Sequence, residues 1–267
     1  MVNWGRSLSY TFLFLYAFTV LLAIVTPVRT SLVLILVVSL STLFFFLFAL
    51  FHGWLTLGPR RVLTLLALTF VIALIMETLG VLTGWPFGPY TYTYHLGPRL
   101  FGLVPVLIPL AWFMMVYTSQ QVVEQIGAPY ISSPLTILQG MWLVVVEAMA
   151  LTAWDLVMDP LMVSRAHWVW KVRGAYFGIP VQNYFGWMLT AIFIYGLYYA
   201  LYRRPAARQE DGWQALPVWA YTLTWIANVG TAALAGFRGP ALVGFFAMGA
   251  FALIGLGTLL KARDTAG

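Results

Sequence analysis

Eight apolar runs, each about twenty residues long, follow one another along the chain at 8–26, 31–51, 62–82, 100–118, 135–157, 184–202, 216–236 and 240–260. A helix needs about 20 apolar residues to cross the hydrocarbon layer of a bilayer, and inside lipid its backbone groups must pair within the segment itself. The runs therefore predict an all-α fold, a polytopic membrane bundle of about eight transmembrane helices. Only 8% of the residues are charged and 62% are hydrophobic, whereas a soluble domain carries about a quarter charged residues. No internal repeat or separate soluble domain stands out, so residues 1–267 read as a single integral membrane domain. The first run starts directly after Arg6, is long for a signal-peptide core, and reads as a retained span. Pro105 and Pro109 interrupt the fourth run and predict a kink or a shallow insertion there.

The net charge of +6 does not point to nucleic acid, because the basic residues are scattered between apolar runs, as befits loops facing anionic lipid headgroups. With eight spans, Arg6, Arg60, Arg61, Arg203, Arg204, Arg208, Lys261 and Arg263 fall on the side of the N-terminus. Arg29, Arg99, Arg165, Lys171, Arg173 and Arg238 fall on the other, four of them in two unusual loops, 83–99 and 158–183. With those loops set aside, the positive-inside rule predicts a multi-pass cell-membrane protein with both termini in the cytoplasm. In either orientation the two loops share one membrane face. There is no cysteine, so thiolate catalysis and Cys-ligated metal are excluded.

Both loops are rich in Gly, Pro and aromatic residues. In "GWPFGPYTYTYHLGP" the Gly and Pro residues bar a regular helix, and Tyr90, Tyr92 and Tyr94 share one face if the segment is extended. In "WVWKVRG" Trp168, Trp170 and Val172 face one way and Lys171 and Arg173 the other, which suggests a short hairpin turning near Gly174. An aromatic belt at the lipid–water interface explains Trp4, Trp54 and Trp213. It explains less well two Gly/Pro-shaped loops that lie next to acids.

Four acids sit within or at the ends of the apolar runs: Glu77, Glu147, Asp155 and Asp159. Each costs about 3 kcal/mol to place there on insertion scales. Asp155 and Asp159 are one helical turn apart, about 6 Å in rise, and Glu77 leaves the membrane on the same face as Asp159. Three carboxylates can thus converge beneath the loops; the plainer alternative pairs them with Arg99, Arg165, Lys171 or Arg173. Glu147 lies deepest and suits a packing or hydrogen-bonding role, while Glu124, Glu210, Asp211 and Asp264 fall in loops or the tail.

A carboxylic acid in apolar surroundings keeps its proton at neutral pH, and aromatic faces stabilise a cation by roughly 0.5–2 kcal/mol each. Together they suit protonation of an alkene in a lipid-dissolved isoprenoid, with water or an internal double bond capturing the carbocation. His52, His95 and His167 stand apart and do not form the histidine clusters of di-iron oxygenases. No phosphate loop or dinucleotide fingerprint is present. The Asp-x-x-x-Asp of "DLVMD" could hold Mg²⁺ for a diphosphate, but a second such motif is missing.

The segments "ETLGVLTGWPFGPYTYT…LGPRLFGLVPVLIPLAWFMM" and "AWDLVMDPLMV…WVWKVRGAYFGIPVQNYFGW" resemble the membrane carotenoid hydratases, over roughly residues 70–190. The resemblance implies addition of water across the terminal double bond of an acyclic ψ-end group, giving a tertiary alcohol with no redox cofactor and no metal. It implies a carotenoid drawn from the bilayer, water and membrane lipids as partners. Glu77, Asp155 and Asp159 occupy the motif acids, with Asp155 or Glu77 as proton donor and Asp159 as its partner or the base for water. Asn183 and Tyr90 are placed to position water. Trp85, Phe87, Tyr92, Trp112, Trp168, Trp170, Tyr176 and Phe177 are candidates to line the end-group pocket. A carotenoid cyclase using the same acid–cation chemistry, a proton-coupled transporter and a non-catalytic carotenoid-binding scaffold are the rival readings.

Overall fold

A computed structural model describes residues 2–25, 31–203 and 212–264. Eight α-helices dominate: α1 (Val2–Val25), α2 (Ser31–Thr56), α3 (Pro59–Thr83), α4 (Leu107–Gly127), α5 (Ile137–Ser164), α6 (Val181–Leu201), α7 (Ala215–Leu234) and α8 (Arg238–Asp264). Six of them, all but α4 and α7, are long and apolar enough to cross a membrane. Their outward faces carry large apolar side chains such as Phe14, Leu36, Val71, Ile75 and Leu253, the surface a helix shows to lipid. Arg29, Arg204, Arg208, Glu210 and Asp211 lie outside the described residues.

α4 runs through the interior. Every residue from Trp112 to Val123 is buried, so this helix has no lipid-facing stripe and carries Thr118, Ser119, Gln120 and Gln121 toward protein partners instead. It also starts later than the sequence suggests. Residues from 99 onward first form a short hairpin, β2 (Arg99–Leu100) against β3 (Val104–Pro105). Pro105 therefore closes the hairpin ahead of the helix, and Pro109 sits in the first helical turn, where backbone N–H groups have no intrahelical acceptor in any case. Both prolines shape the start of α4 rather than its middle. The late start carries the helix past 118 and places Glu124 on α4, not in a loop.

The two aromatic loops pair with each other. β1 (Tyr90–Tyr92) runs antiparallel to β4 (Trp168–Trp170), with Tyr90 opposite Trp170 and Tyr92 opposite Trp168. The hairpin expected within the second loop is thus replaced, over Trp168–Trp170, by a strand from the first. Only the bridges Gly174–Gly178 and Tyr176–Ile179 fold that loop on itself. Thr93 seals the pairing: its N–H donates to the His167 carbonyl (3.0 Å) and its hydroxyl to the Ala166 carbonyl (2.6 Å). Tyr94 opens a 3-10 turn (Tyr94–Leu96) and is exposed, so it does not share the inward face of Tyr90 and Tyr92.

The histidines take structural positions. His52 stacks on Trp213 at 4.4 Å and bonds Tyr117 and the Trp213 carbonyl. His95 reaches the Arg165 carbonyl at 3.2 Å. His167 is buried, and burial lowers its imidazole to about 4, leaving it neutral.

Candidate active site

α3 and α5 end, and α4 and α6 begin, beneath the paired loops. That arrangement collects polar groups from four helix ends at one membrane face. Gly84, in the left-handed region at φ 79°, caps α3 and turns the chain inward. The turn sends the Phe87 ring between α3 and α6. A Cβ on Gly80 would come within 2.8 Å of that ring and one on Gly186 within 2.5 Å, so both helices need glycine where Phe87 enters.

Glu77 is 4% exposed and accepts from three donors. Tyr90 and Tyr92 both donate to Oε2, the latter at 2.7 Å, and Trp112 Nε1 donates to Oε1 at 3.0 Å. Burial, with Glu77 beside them, pushes both phenols well above their ordinary range, so they act as hydrogen-bond donors only. Each inward residue of β1 is therefore tied to the acid on α3. Arg99 holds the strand from outside, Nη2 donating to the Tyr92 carbonyl at 2.7 Å.

Asp155 and Asp159 are fully buried one turn apart on α5. The Asn183 side chain, in the first turn of α6, bridges them, Nδ2 donating to Asp155 Oδ2 at 2.6 Å and to Asp159 Oδ2 at 2.9 Å. Trp168 Nε1 of β4 donates to Asp159 Oδ1 at 2.7 Å. Asp155 Oδ1 is left without a partner among the described residues.

Glu77, Asp155, Asp159 and Asn183 line one cavity of about 90 Å³, several times the space one water needs. Its walls are aromatic: Phe87, Tyr90, Tyr92, Trp112, Trp168 and Trp170, together with Trp154 and Trp187. Trp112 stacks on Trp187 at 4.1 Å and 18°, and Trp154 meets Trp187 edge-on at 5.9 Å. Among the described residues no three His, Asp or Glu side chains are grouped so as to hold a metal ion; the Asp155–Asp159 pair is spanned by the Asn183 amide.

Trp154 and Trp187 escaped the sequence reading, although each had a signal. Trp154 precedes Asp155, and Trp187 lies one helical turn after Asn183 on α6, hence on the same face. Three candidate wall residues lie elsewhere. Trp85 is half exposed on the turn, and Phe177 is exposed and packs its ring on Gly239 of α8. Tyr176 donates its hydroxyl to the Leu156 carbonyl at 2.8 Å. That carbonyl is the helical acceptor Pro160 leaves unpaired, because proline has no N–H. Tyr176 thus repairs α5 between the two aspartates.

A family model described as carotenoid biosynthesis protein matches residues 32–251. Among curated proteins, the bisanhydrobacterioruberin hydratase of Haloarcula japonica is 35% identical over 132 residues, covering 49% of this chain and 42% of that protein. The matched stretch is thus less than half the length of that relative. No solved structure matches.

Proposed function

Because the chain belongs to the carotenoid biosynthesis protein family, we propose that it is a carotenoid hydratase, a hydro-lyase type enzyme that adds water to the terminal C=C bond of an acyclic ψ-end group. One observation carries the reading: a buried carboxyl oxygen, Asp155 Oδ1, is left unpartnered in a cavity walled by five tryptophans. Such a group donates a proton to a hydrocarbon, which offers no hydrogen bond in return. The hydratase relative from Haloarcula japonica supports the same chemistry.

Asp155 transfers its proton to the less substituted carbon of the terminal double bond. The π pair forms the new C–H bond, and the other carbon becomes a tertiary cation. The faces of Trp112, Trp154, Trp187 and the β4 tryptophans stabilise that cation by roughly 0.5–2 kcal/mol each. Glu77, its orientation fixed by three donors, turns the dipole of its carboxyl group on the cavity. Water attacks the cation, and its surplus proton passes to the Asp155–Asp159 pair that Asn183 bridges, which restores the donor. No electrons are gained or lost, so the reaction balances without a redox partner. With every oxygen of Glu77 engaged, the donor role falls to Asp155 rather than Glu77.

This reading sets the enzyme in the cell membrane, both termini cytoplasmic, with the site at the opposite face within reach of water. The test is expression in a bacterium that accumulates an acyclic or monocyclic carotenoid, followed by chromatography and mass analysis of the pigment. A more polar product heavier by one or two waters, absent with Asp155→Asn, is expected. A pigment of unchanged mass and altered spectrum would make the enzyme a cyclase instead.

A further inference from the structure

A second and larger cavity, about 620 Å³, lies beside the first at the same membrane face. It is walled by α1, α2, α5 and α7, and the Tyr16–Thr224 hydrogen bond (2.8 Å) joins α1 to α7 along its lining. The two chambers share Val38, Thr42, Met114, Trp154, Met158 and Met162. This neck is apolar except for the Thr42 hydroxyl and the Trp154 indole N–H, and half of it is methionine. A file of water needs two to four polar partners per molecule, which such a neck does not offer. Methionine, unbranched and polarisable, adapts to an apolar chain of irregular contour. Beyond the neck the walls become mixed: Ala227, Ala23 and Leu161 alternate with Asn228, Thr231 and Arg165.

We propose that the larger chamber holds the part of the lipid substrate that does not react. The chain would thread the methionine neck so that only its end group reaches Asp155, while Asn228 and Arg165 offer hydrogen bonds to any polar group further along. The sizes agree with this division. The inner cavity suits a branched end group of a few carbons, and the outer one falls within the 300–1,000 Å³ typical of small-molecule sites. The proposal rests on the hydratase reading and adds to it which residues select substrate by length.

Two variants test it, Ala227→Phe and Thr231→Phe. Both place a ring in the outer chamber, from positions that do not line the inner one. Each is given two substrates with the same acyclic end group, a forty-carbon polyene and a fifteen-carbon isoprenoid hydrocarbon. Either folded variant is expected to convert the polyene at least about tenfold more slowly while converting the short hydrocarbon within about twofold of wild type. Equal loss on both substrates, or loss on neither, overturns the chamber. Pigment retention gives a readout that needs no turnover: wild type purified from polyene-accumulating cells should keep bound pigment, and the filled variants should lose it. Wild type that binds the polyene but hydrates neither substrate removes the hydratase reading and leaves the chamber supported. Equal pigment on wild type and variants removes the chamber.

Discussion

α4, α5 and α6 each contribute to two buried acid clusters, one beneath the paired loops and one toward the opposite ends of these helices, and the two are built differently. Beneath the loops, Asp155 and Asp159 meet Asn183, and Glu77 meets three donors from other elements. Toward the other face, the Tyr199 hydroxyl lies 2.6 Å from Glu147 Oε1 and 3.0 Å from Glu124 Oε1, and accepts from Gln120 Nε2 at 3.3 Å. A phenol has one proton, so it satisfies only one of the two glutamates; the second contact needs a proton of the glutamate's own. Among the described residues both clusters have an unpartnered carboxyl oxygen, Asp155 Oδ1 in one and Glu147 Oε2 in the other. What separates them is which group faces open space: in the second cluster Tyr199 borders a cavity of about 410 Å³ and neither glutamate does. Asp155 faces a chamber lined by aromatic rings, and neither Glu124 nor Glu147 lines either chamber. Burial of an acid does not distinguish the two clusters; an acid that itself faces a cavity does.

The same substitution made in each cluster gives the sharpest test. Asp155→Asn is expected to lower hydration at least about 100-fold, the usual scale for a lost general acid, whereas Glu147→Gln should stay within about threefold of wild type. Product formed per folded protein, measured by chromatography, decides it, and equal losses would break the distinction. Next in size, Glu77→Gln keeps the side chain's size but replaces one of its two acceptor oxygens with a donor. A loss of about tenfold in turnover is expected, with substrate retention unchanged. Tyr199→Phe leaves the two glutamates without their shared partner and should cost about 1–3 kcal/mol of stability, read as a lower melting temperature in detergent with turnover per folded molecule preserved. Trp85→Ala, on a half-exposed side chain outside the cavity, should change stability by no more than about 0.5 kcal/mol. A large loss of activity there would bring the outer turn into the site.

Much of this was legible from local pattern. The acids stood out because charge inside an apolar run is costly, and the four-residue step from Asp155 to Asp159 fixed their shared face. The pairing of Tyr90–Tyr92 with Trp168–Trp170 was not legible, since alternation reveals a strand but not its partner. Glu124 was misplaced because Pro105 belongs to a hairpin, which shifts the whole of α4 toward the C-terminus. Tyr176 looked like a wall residue because nothing local says that a hydroxyl sixteen positions after Pro160 will mend the gap that proline leaves.

The strand pair also sets a timetable for the ribosome. Tyr90 and its partner Trp170 stand 80 positions apart, roughly 4–16 s of synthesis at about 5–20 residues per second. Through that interval the tryptophans of β4 and the bridging amide of Asn183 do not yet exist. The aromatic cavity is therefore closed late in translation, and a nascent chain halted before β4 would carry Glu77, Asp155 and Asp159 without Trp168, Trp170, Asn183 or Trp187.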